Sequence, residues 1–424
     1  MVAPADIATG RDTGWLTLLC VSRASFALIF TAYSAAIPLL TPEWNLTASQ
    51  AGLIQSAWHA GYLVSLVAVG LLSDRYGAKR VFMVSSMAAS ASALVFAMFA
   101  DGFFSAALLY GMTGLFSGGS YTPGLTLISE RYAPHRRGRA MGYYLAAASL
   151  GYALALLATG VLTPYIGWRG AFVVNAAGPF VGTLIAFVAL RETPNVIHAA
   201  PAAGSVCAPV PAVLRNKPVM LAIWAYAFHS WELMGLKAWL PAFLAAAAYA
   251  SGSGAVEAAS LGAVLTAIAY LGSMTGSVAG GALSDLKGRT WAILLMSCAS
   301  LACSFSLGWL LGLPLWMLVV IVAFHSFAAI GDSSVYSTAV TELVPARYVG
   351  TAYSVRSLLG YGLGALSPWI VGVVLDTARA EDLSVRATWG WAWTALGAGA
   401  LLGPLMTWRL RRLPGAAAMA GGKC

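Results

Sequence analysis

Apolar residues along this chain run in long unbroken blocks. They fall near residues 14–40, 49–72, 81–100, 104–129, 140–163 and 171–190, and again near 218–248, 258–283, 291–312, 315–341, 350–375 and 389–408. A helix needs about 20 apolar residues to cross the hydrocarbon core of a bilayer. The blocks do not alternate at period two, as the strands of a membrane barrel would. The pattern therefore predicts twelve transmembrane helices, six on either side of a break. The break is 191–217, where Pro194, Pro201, Pro209 and Pro211 stand among alanines and polar residues and read as a linker. The expected organisation is a polar segment 1–13, a six-helix bundle 14–190, the linker 191–217, a second bundle 218–408 and a tail 409–424.

Composition agrees. Of 424 residues, 59% are hydrophobic and 9% charged, against about 45–50% and about 25% in soluble proteins. So few charges could not clothe a water-soluble particle of this size, which makes the chain an all-α integral membrane protein whose partner is the lipid bilayer. The 45 glycines suit close helix packing in lipid. Residues 1–13 are polar, and the first apolar block carries Arg23 and continues to Leu40, so no cleavable signal peptide is expected. The cysteines Cys20, Cys207, Cys298, Cys303 and Cys424 are odd in number and scattered. They read as reduced thiols with no metal-ligand spacing, and no metal or other cofactor is expected.

Orientation follows from the cations between blocks. One side holds Arg11; Arg75, Lys79 and Arg80; Arg131, Arg136, Arg137 and Arg139; Arg191, Arg215 and Lys217; Lys287 and Arg289; Arg347; and Arg409, Arg411, Arg412 and Lys423, eighteen of the 24 Lys and Arg. The other side holds Arg169, Arg379 and Arg386, and three more fall inside blocks. Both termini and the linker are expected in the cytoplasm, with the protein in the cell (inner or plasma) membrane. The +9 net charge is then topological, and no nucleic-acid partner is needed. The Asn45-Leu46-Thr47 sequon falls outside, a tripeptide common by chance.

The two halves repeat. Span 2 ends in Gly70-Leu-Leu-Ser73-Asp74-Arg75-Tyr-Gly77-Ala-Lys79-Arg80, and span 8 in Gly281-Ala-Leu-Ser284-Asp285-Leu-Lys-Gly288-Arg289, an offset of 211 residues. Span 4 ends in Glu130-Arg-Tyr-Ala-Pro134 and span 10 in Glu342-Leu-Val-Pro345, an offset of 212. At these residues the chain resembles the major facilitator superfamily, whose best-known motif is the Gly-x-x-x-Asp-Arg-x-Gly-x-Lys/Arg loop between helices 2 and 3, with a degenerate copy between helices 8 and 9. The resemblance runs from Gly14 to Trp408. It implies two pseudo-symmetric six-helix bundles and a gate on one face, formed by Asp74, Arg75, Gly77, Lys79 and Arg80 with Asp285, Gly288 and Arg289. Glu130 and Glu342 sit at the same depth and can accept those cations across the interface between halves, a bistable contact. The plainer alternative is that the cations only retain the loops in the cytoplasm. Gly272, Gly276 and Gly280 in span 8 share one helical face and are expected to pack against a neighbouring helix. Two features depart from the drug/proton antiporters of the superfamily. Span 5, around Ser149, Gly151 and Tyr152, lacks their Gly-Pro element, and span 4 has Tyr110 where many members place an arginine.

Ionisable groups inside the blocks are Arg23, His59, His229, Glu232, Lys237, His325, Asp332 and Arg356. Each costs about 2.5–3.5 kcal/mol at mid-bilayer, so each should face a cavity or a partner. His229 and Glu232 are three apart in span 7 and share a face, which Trp239 extends, and Trp231 stands next to Glu232 in the same helix. Lys237 lies about 140° around the helix from Glu232 and should face another neighbour. Asp332 and Arg356 come to similar depths, about 15 and 9 Å from the cytoplasmic end, and form a candidate pair. Glu232 and Asp332 are candidates for proton coupling, with a static ion pair as the alternative. His59 and His325 have no evident partner and read as buried neutral imidazoles.

In the resembled fold, helices 1, 4, 7, 10 and 11 border a central cavity. Arg23 and Arg356 reaching it would suit a carboxylate, which guanidinium binds bidentately. This resembles the oxalate/formate- and cyanate/nitrate-type carriers. The expected substrate-binding set is Arg23, His229, Trp231, Glu232, Trp239, Asp332 and Arg356. Enzyme chemistry is excluded: His229 and Ser230 point about 100° apart, and no Walker loop or metal cluster is present. A receptor would need no gate. The expectation is a monomeric secondary transporter of a small organic anion working by alternating access, with or without protons. The alternative is a proton-coupled exporter of hydrophobic or cationic compounds.

Overall fold

A computed structural model describes residues 10–197, 209–345 and 348–422. Pro201, Cys207, Arg347, Lys423 and Cys424 lie outside the described residues. Among those described, regular structure is entirely helical, as hydrocarbon demands of a chain that must satisfy its own N–H and C=O groups. Among the described residues, nine helices are long and apolar enough to cross a membrane. The crossings are α1 (Asp12–Glu43), α2 (Ala48–Tyr76), α3 (Ala78–Phe99), α7 (Lys217–Ala250), α8 (Ala255–Lys287), α9 (Arg289–Leu310), α10 (Leu315–Leu343) and α11 (Val349–Ala380). The ninth belongs to the continuous helix Pro134–Leu190, whose 57 residues would span about 85 Å if straight. It breaks at Gly167 (φ 68°) and folds back, so that Asn175 donates to Thr159 Oγ1 at 2.9 Å. It supplies two crossings, α5 (134–166) and α6 (168–190). The fourth, α4, is Phe103–Ser117 and Thr122–Arg131, joined by a 3-10 turn; the twelfth, α12, is Val385–Ala400 and Leu402–Arg411. The twelve crossings predicted from the apolar blocks are all present.

The repeat is visible in the backbone. Gly77 (φ 85°) and Gly288 (φ 101°) both take the left-handed conformation, and they stand 211 residues apart. A side chain there would be strained, which explains why both copies of the loop carry glycine. The break in α4 at Gly118–Ser120 and the break in α10 at Asp332 are likewise related by the repeat. The linker differs from expectation, because Pro209–Arg215 forms a short helix. Its two prolines fall in the first turn, where backbone N–H groups have no intrahelical partner. Val213 packs with Val219, Ile223, Val340 and Leu410.

Large apolar side chains such as Val64, Val67, Phe187, Val278 and Val320 stand exposed on the outside, an arrangement suited to lipid rather than water. Inside, small residues bring backbones together. A Cβ on Gly280 would lie 1.8 Å from the Gly331 carbonyl oxygen, and one on Gly276 2.3 Å from that of Phe327, so these two carry the α8–α10 contact; Gly272 faces open space. Gly280→Val is expected to destabilise the protein by about 3 kcal/mol or more, since backbone cannot yield to it. Gly272→Val is the control. Equal melting temperatures for the two variants in detergent would refute this packing.

The first and second sets of six helices meet tightly on the face opposite the Gly77 and Gly288 loops. The Asp376 carboxylate of α11 accepts the N–H groups of Ala48 and Ser49 at the start of α2, each at 2.7 Å. A Cβ on Gly52 would lie 2.1 Å from the Pro368 oxygen, and one on Gly372 2.3 Å from that of Ala48. Between α5 and α8, Ser260 Oγ donates to the Gly160 carbonyl at 2.6 Å. This is the far face, and the one bearing Lys79 and Arg80 is the basic face.

Candidate functional site

Below that closure lies a cavity of about 150 Å³, walled by α1, α2, α3, α4, α5, α6, α7 and α11. Two cations line it, Arg23 from α1 and Lys237 from α7. Arg23 is 7% exposed. Its Nη1 donates to Ser120 Oγ at 2.6 Å, in the α4 break, and its Cζ lies 5.5 Å from the Tyr121 ring and 5.8 Å from that of Tyr144. Its Nε is buried with no hydrogen-bond partner among the described residues. The Lys237 ammonium lies 5.0 Å from the Tyr152 ring and 5.5 Å from that of Phe30. Among the described residues neither cation meets a carboxylate.

The wall between them is aromatic. Phe30 is 4.6 Å from Tyr152 and 4.5 Å from Trp58, Trp58 stacks on Tyr62 at 5.0 Å, and Tyr62 meets Tyr361 of α11 at 5.4 Å. Lys237, outside the expected set, is the residue that sequence reasoning missed. Its angular separation from Glu232 was correct and places it on the cavity side of α7. A helical wheel does not reveal which side of a helix faces a lumen.

The other expected residues lie elsewhere. Glu232 points into the second bundle, where its Oε1 accepts from Ser300 (2.7 Å) and Ser304 (2.6 Å) and lies 3.3 Å from His325 Nε2. The expected Asp332–Arg356 pair does not form. Asp332 Oδ1 is 3.1 Å from His229 Nδ1, while His229 Nε2 shares a hydrogen with Ser333 Oγ at 2.8 Å. The helix break at Asp332 turns its carboxylate toward α7. Arg356 instead donates to Ser337 Oγ at 2.6 Å and lies 4.4 Å from the Tyr226 ring and 4.6 Å from that of Tyr353. It stands outside the cavity lining, though Tyr121 interacts electrostatically with both arginines. Trp231 donates to the Leu396 carbonyl and Trp239 to that of Pro368, so both indoles serve helix contacts. His325 has partners in Ser304 and Glu232, while both ring nitrogens of His59 lack a hydrogen-bond partner among the described residues.

On the basic face, each loop binds within its own half. Lys79 donates to the Thr193 carbonyl at 2.7 Å, Arg80 N–H to Asn195 Oδ1 at 3.1 Å, and Asn195 Nδ2 to the Tyr76 carbonyl at 2.8 Å. Asp74, Arg75 and Glu130 are exposed. In the second copy Arg289 bridges Asp285 and Glu342, the latter at 2.8 Å. Lys79, Arg80 and Arg289 thus make these contacts inside their own halves, and this conformation is closed on the far face.

The profile described as Major Facilitator Superfamily matches residues 19–368. The chain belongs to that superfamily. Among relatives, the hexuronate transporter of Bacillus subtilis is 25% identical over 365 residues, covering 82% of this chain and 84% of the relative. A probable 4-methylmuconolactone transporter of Cupriavidus pinatubonensis is 26% identical, covering 80% of each, and a probable sulfoacetate transporter of Cupriavidus necator is 25% identical, covering 88% and 90%. A crystal structure of a bacterial homologue of the human lysosomal transporter Spinster shares the fold, at TM-score 0.74 and 18% identity over 96% of this chain and 98% of that one. So does the nucleoside transporter NupG, at 0.73 and 12% over 94% and 99%. As a major facilitator the chain is a multi-pass membrane transport protein and not an enzyme.

Proposed function

We propose that this major facilitator moves a small organic anion across the plasma membrane by alternating access, holding it between Arg23 and Lys237. One observation carries the reading: a buried arginine and a part-buried lysine line a single cavity between the halves, and neither has a carboxylate partner among the described residues. Unpaired buried charges are costly and like charges repel, so an anion relieves both terms where a cationic drug would add to them. Relatives named for hexuronate and sulfoacetate support the same cargo class. The positive-inside bias puts both termini and the basic face in the cytoplasm, so the cavity belongs to an inward-directed conformation. The Asp74–Arg80 and Asp285–Arg289 loops engage across the halves when the far face opens. One chain supplies both halves, so a monomer suffices.

The test is thermal stabilisation of the detergent-purified protein by a panel of small carboxylates, inorganic anions and lipophilic cations. A ligand at about 100 times its dissociation constant adds about 2.7 kcal/mol. Carboxylates should stabilise and lipophilic cations should not; the reverse overturns the proposal.

Proton coupling is the second element of the proposal. Two buried carboxylate–histidine pairs, Glu232 with His325 and Asp332 with His229, sit together in α7 and α10 away from the cavity. Such groups exchange protons without contacting cargo. Glu232→Gln is expected to abolish accumulation driven by a pH gradient in proteoliposomes while keeping cargo exchange. Undiminished accumulation would remove Glu232 from coupling.

A further inference from the structure

The cavity's walls say more about the cargo than its charge. Seven of the eighteen lining residues are aromatic, and none is Asn, Gln, Asp, Glu or Thr. Of the three lining serines, Ser117 donates to the Thr113 carbonyl at 2.6 Å, and Ser120 donates to the Ser117 carbonyl at 3.0 Å while accepting from Arg23. Those two hydrogens are committed to the helix backbone, which leaves Ser149 and the phenol edges of Tyr62, Tyr121, Tyr152 and Tyr361 as the other hydroxyls of the wall. A polyhydroxylated acid lying on the ring faces would set hydroxyls against carbon, and each unmet hydroxyl weakens binding.

What the walls do offer is ring surface beside both cations. Lys237 lies over Phe30 and Tyr152, and those rings continue through Trp58. An anion held between Arg23 and Lys237 therefore has its carbon body against this wall. Arg23 lines the cavity, and its guanidinium supplies the donors that a carboxylate would meet there. The volume of about 150 Å³ suits one small ring.

We infer that the cargo is a planar ring carboxylate, aromatic or unsaturated, rather than a sugar acid: its carboxylate meets the Arg23 guanidinium, its face lies on the Phe30–Tyr152–Trp58 wall, and Lys237 meets an electronegative atom across the ring. This rests on the anion-carrier reading above and narrows it.

Calorimetric titration of the full-length purified protein with nicotinate, 4-hydroxybenzoate, galacturonate and sulfoacetate tests both. The ring acids should bind at least tenfold more tightly than galacturonate. Galacturonate binding as tightly as the ring acids overturns the inference and leaves the anion reading standing. Failure of every anion to bind defeats both. Tyr152→Leu should lower the ratio of ring-acid to galacturonate affinity at least fivefold, and Tyr152→Phe, which keeps the ring, should restore it. Phe30→Leu reads the same wall should Tyr152→Leu not fold. A ratio that is unchanged in the leucine variant that folds places the rings in packing alone and overturns the inference.

Discussion

Arg23→Gln is expected to weaken carboxylate binding about a hundredfold while leaving the unliganded protein at least as stable as before. Both halves of that expectation come from one fact: Arg23 is buried, donates to a neutral serine, and meets no carboxylate among the described residues. Removing one partner of a desolvated, hydrogen-bonded charge pair costs about 2–5 kcal/mol of binding, and about 3 kcal/mol is a hundredfold. Without ligand, the same substitution removes an uncompensated charge, so melting temperature should hold or rise. An arginine serving only as a structural tie would behave oppositely, with a lower melting temperature and unchanged affinity. Lys237→Met keeps the straight side chain and its place over Phe30 and Tyr152 but loses the charge. It should likewise weaken binding, by about tenfold or more, since an ammonium is a point charge without the guanidinium fork. Because both cations act on one anion, their losses should not add in the double variant. Wild-type affinity in Arg23→Gln would end the proposal that this cavity is the anion site.

Much of this architecture could be read from the chain, and the parts that could not share a physical cause. Span number, the repeat and the left-handed glycines are properties of local sequence: block length, motif offset, and a turn that only glycine fits without strain at Gly77 and Gly288. Partnerships inside the membrane are not local. Depth along a helix follows from residue count, which brought Asp332 and Arg356 to neighbouring levels, but azimuth changes at every break. Asp332 sits in such a break and turns toward His229. The surroundings of Glu232 were not legible, because its serine partners Ser300 and Ser304 carry no charge to flag them. Lys237 shows the converse: its angle was legible, and the lumen it faces was not. The α4 break that seats Ser120 against Arg23 had a signal in Gly118-Gly119-Ser120 followed by Pro123. Block length alone does not resolve that signal, since span 4 is apolar on both sides of it.

Asp376 belongs to the same class of residue, an acid at a helix end whose importance depends on what another helix brings to it. The first turn of α2 has donors to satisfy. Thr47 and Gln50 take care of two through a capping box, Gln50 N–H to Thr47 Oγ1 at 3.2 Å and Thr47 N–H to Gln50 Oε1 at 3.0 Å. The next two, on Ala48 and Ser49, are met by the Asp376 carboxylate of the other half. A carboxylate on a helix N-terminus is favourable by charge as well as by hydrogen bond, and these bonds exist only while α2 and α11 touch. Asp376→Asn leaves one acceptor oxygen and no charge, which costs the far-face-closed conformation about 1.5–3 kcal/mol. The open conformation, where water serves those N–H groups, loses nothing comparable. The equilibrium between the two should move about 10- to 100-fold toward far-face opening. Spin labels at the exposed far-face positions 101 and 382, with native cysteines replaced, would report it as growth of a longer-distance population. Asp376→Glu, which keeps charge and both oxygens, should retain part of the closed population. An unchanged distance distribution in Asp376→Asn would mean that the Gly52–Pro368 and Gly372–Ala48 backbone contacts hold the face shut without the carboxylate.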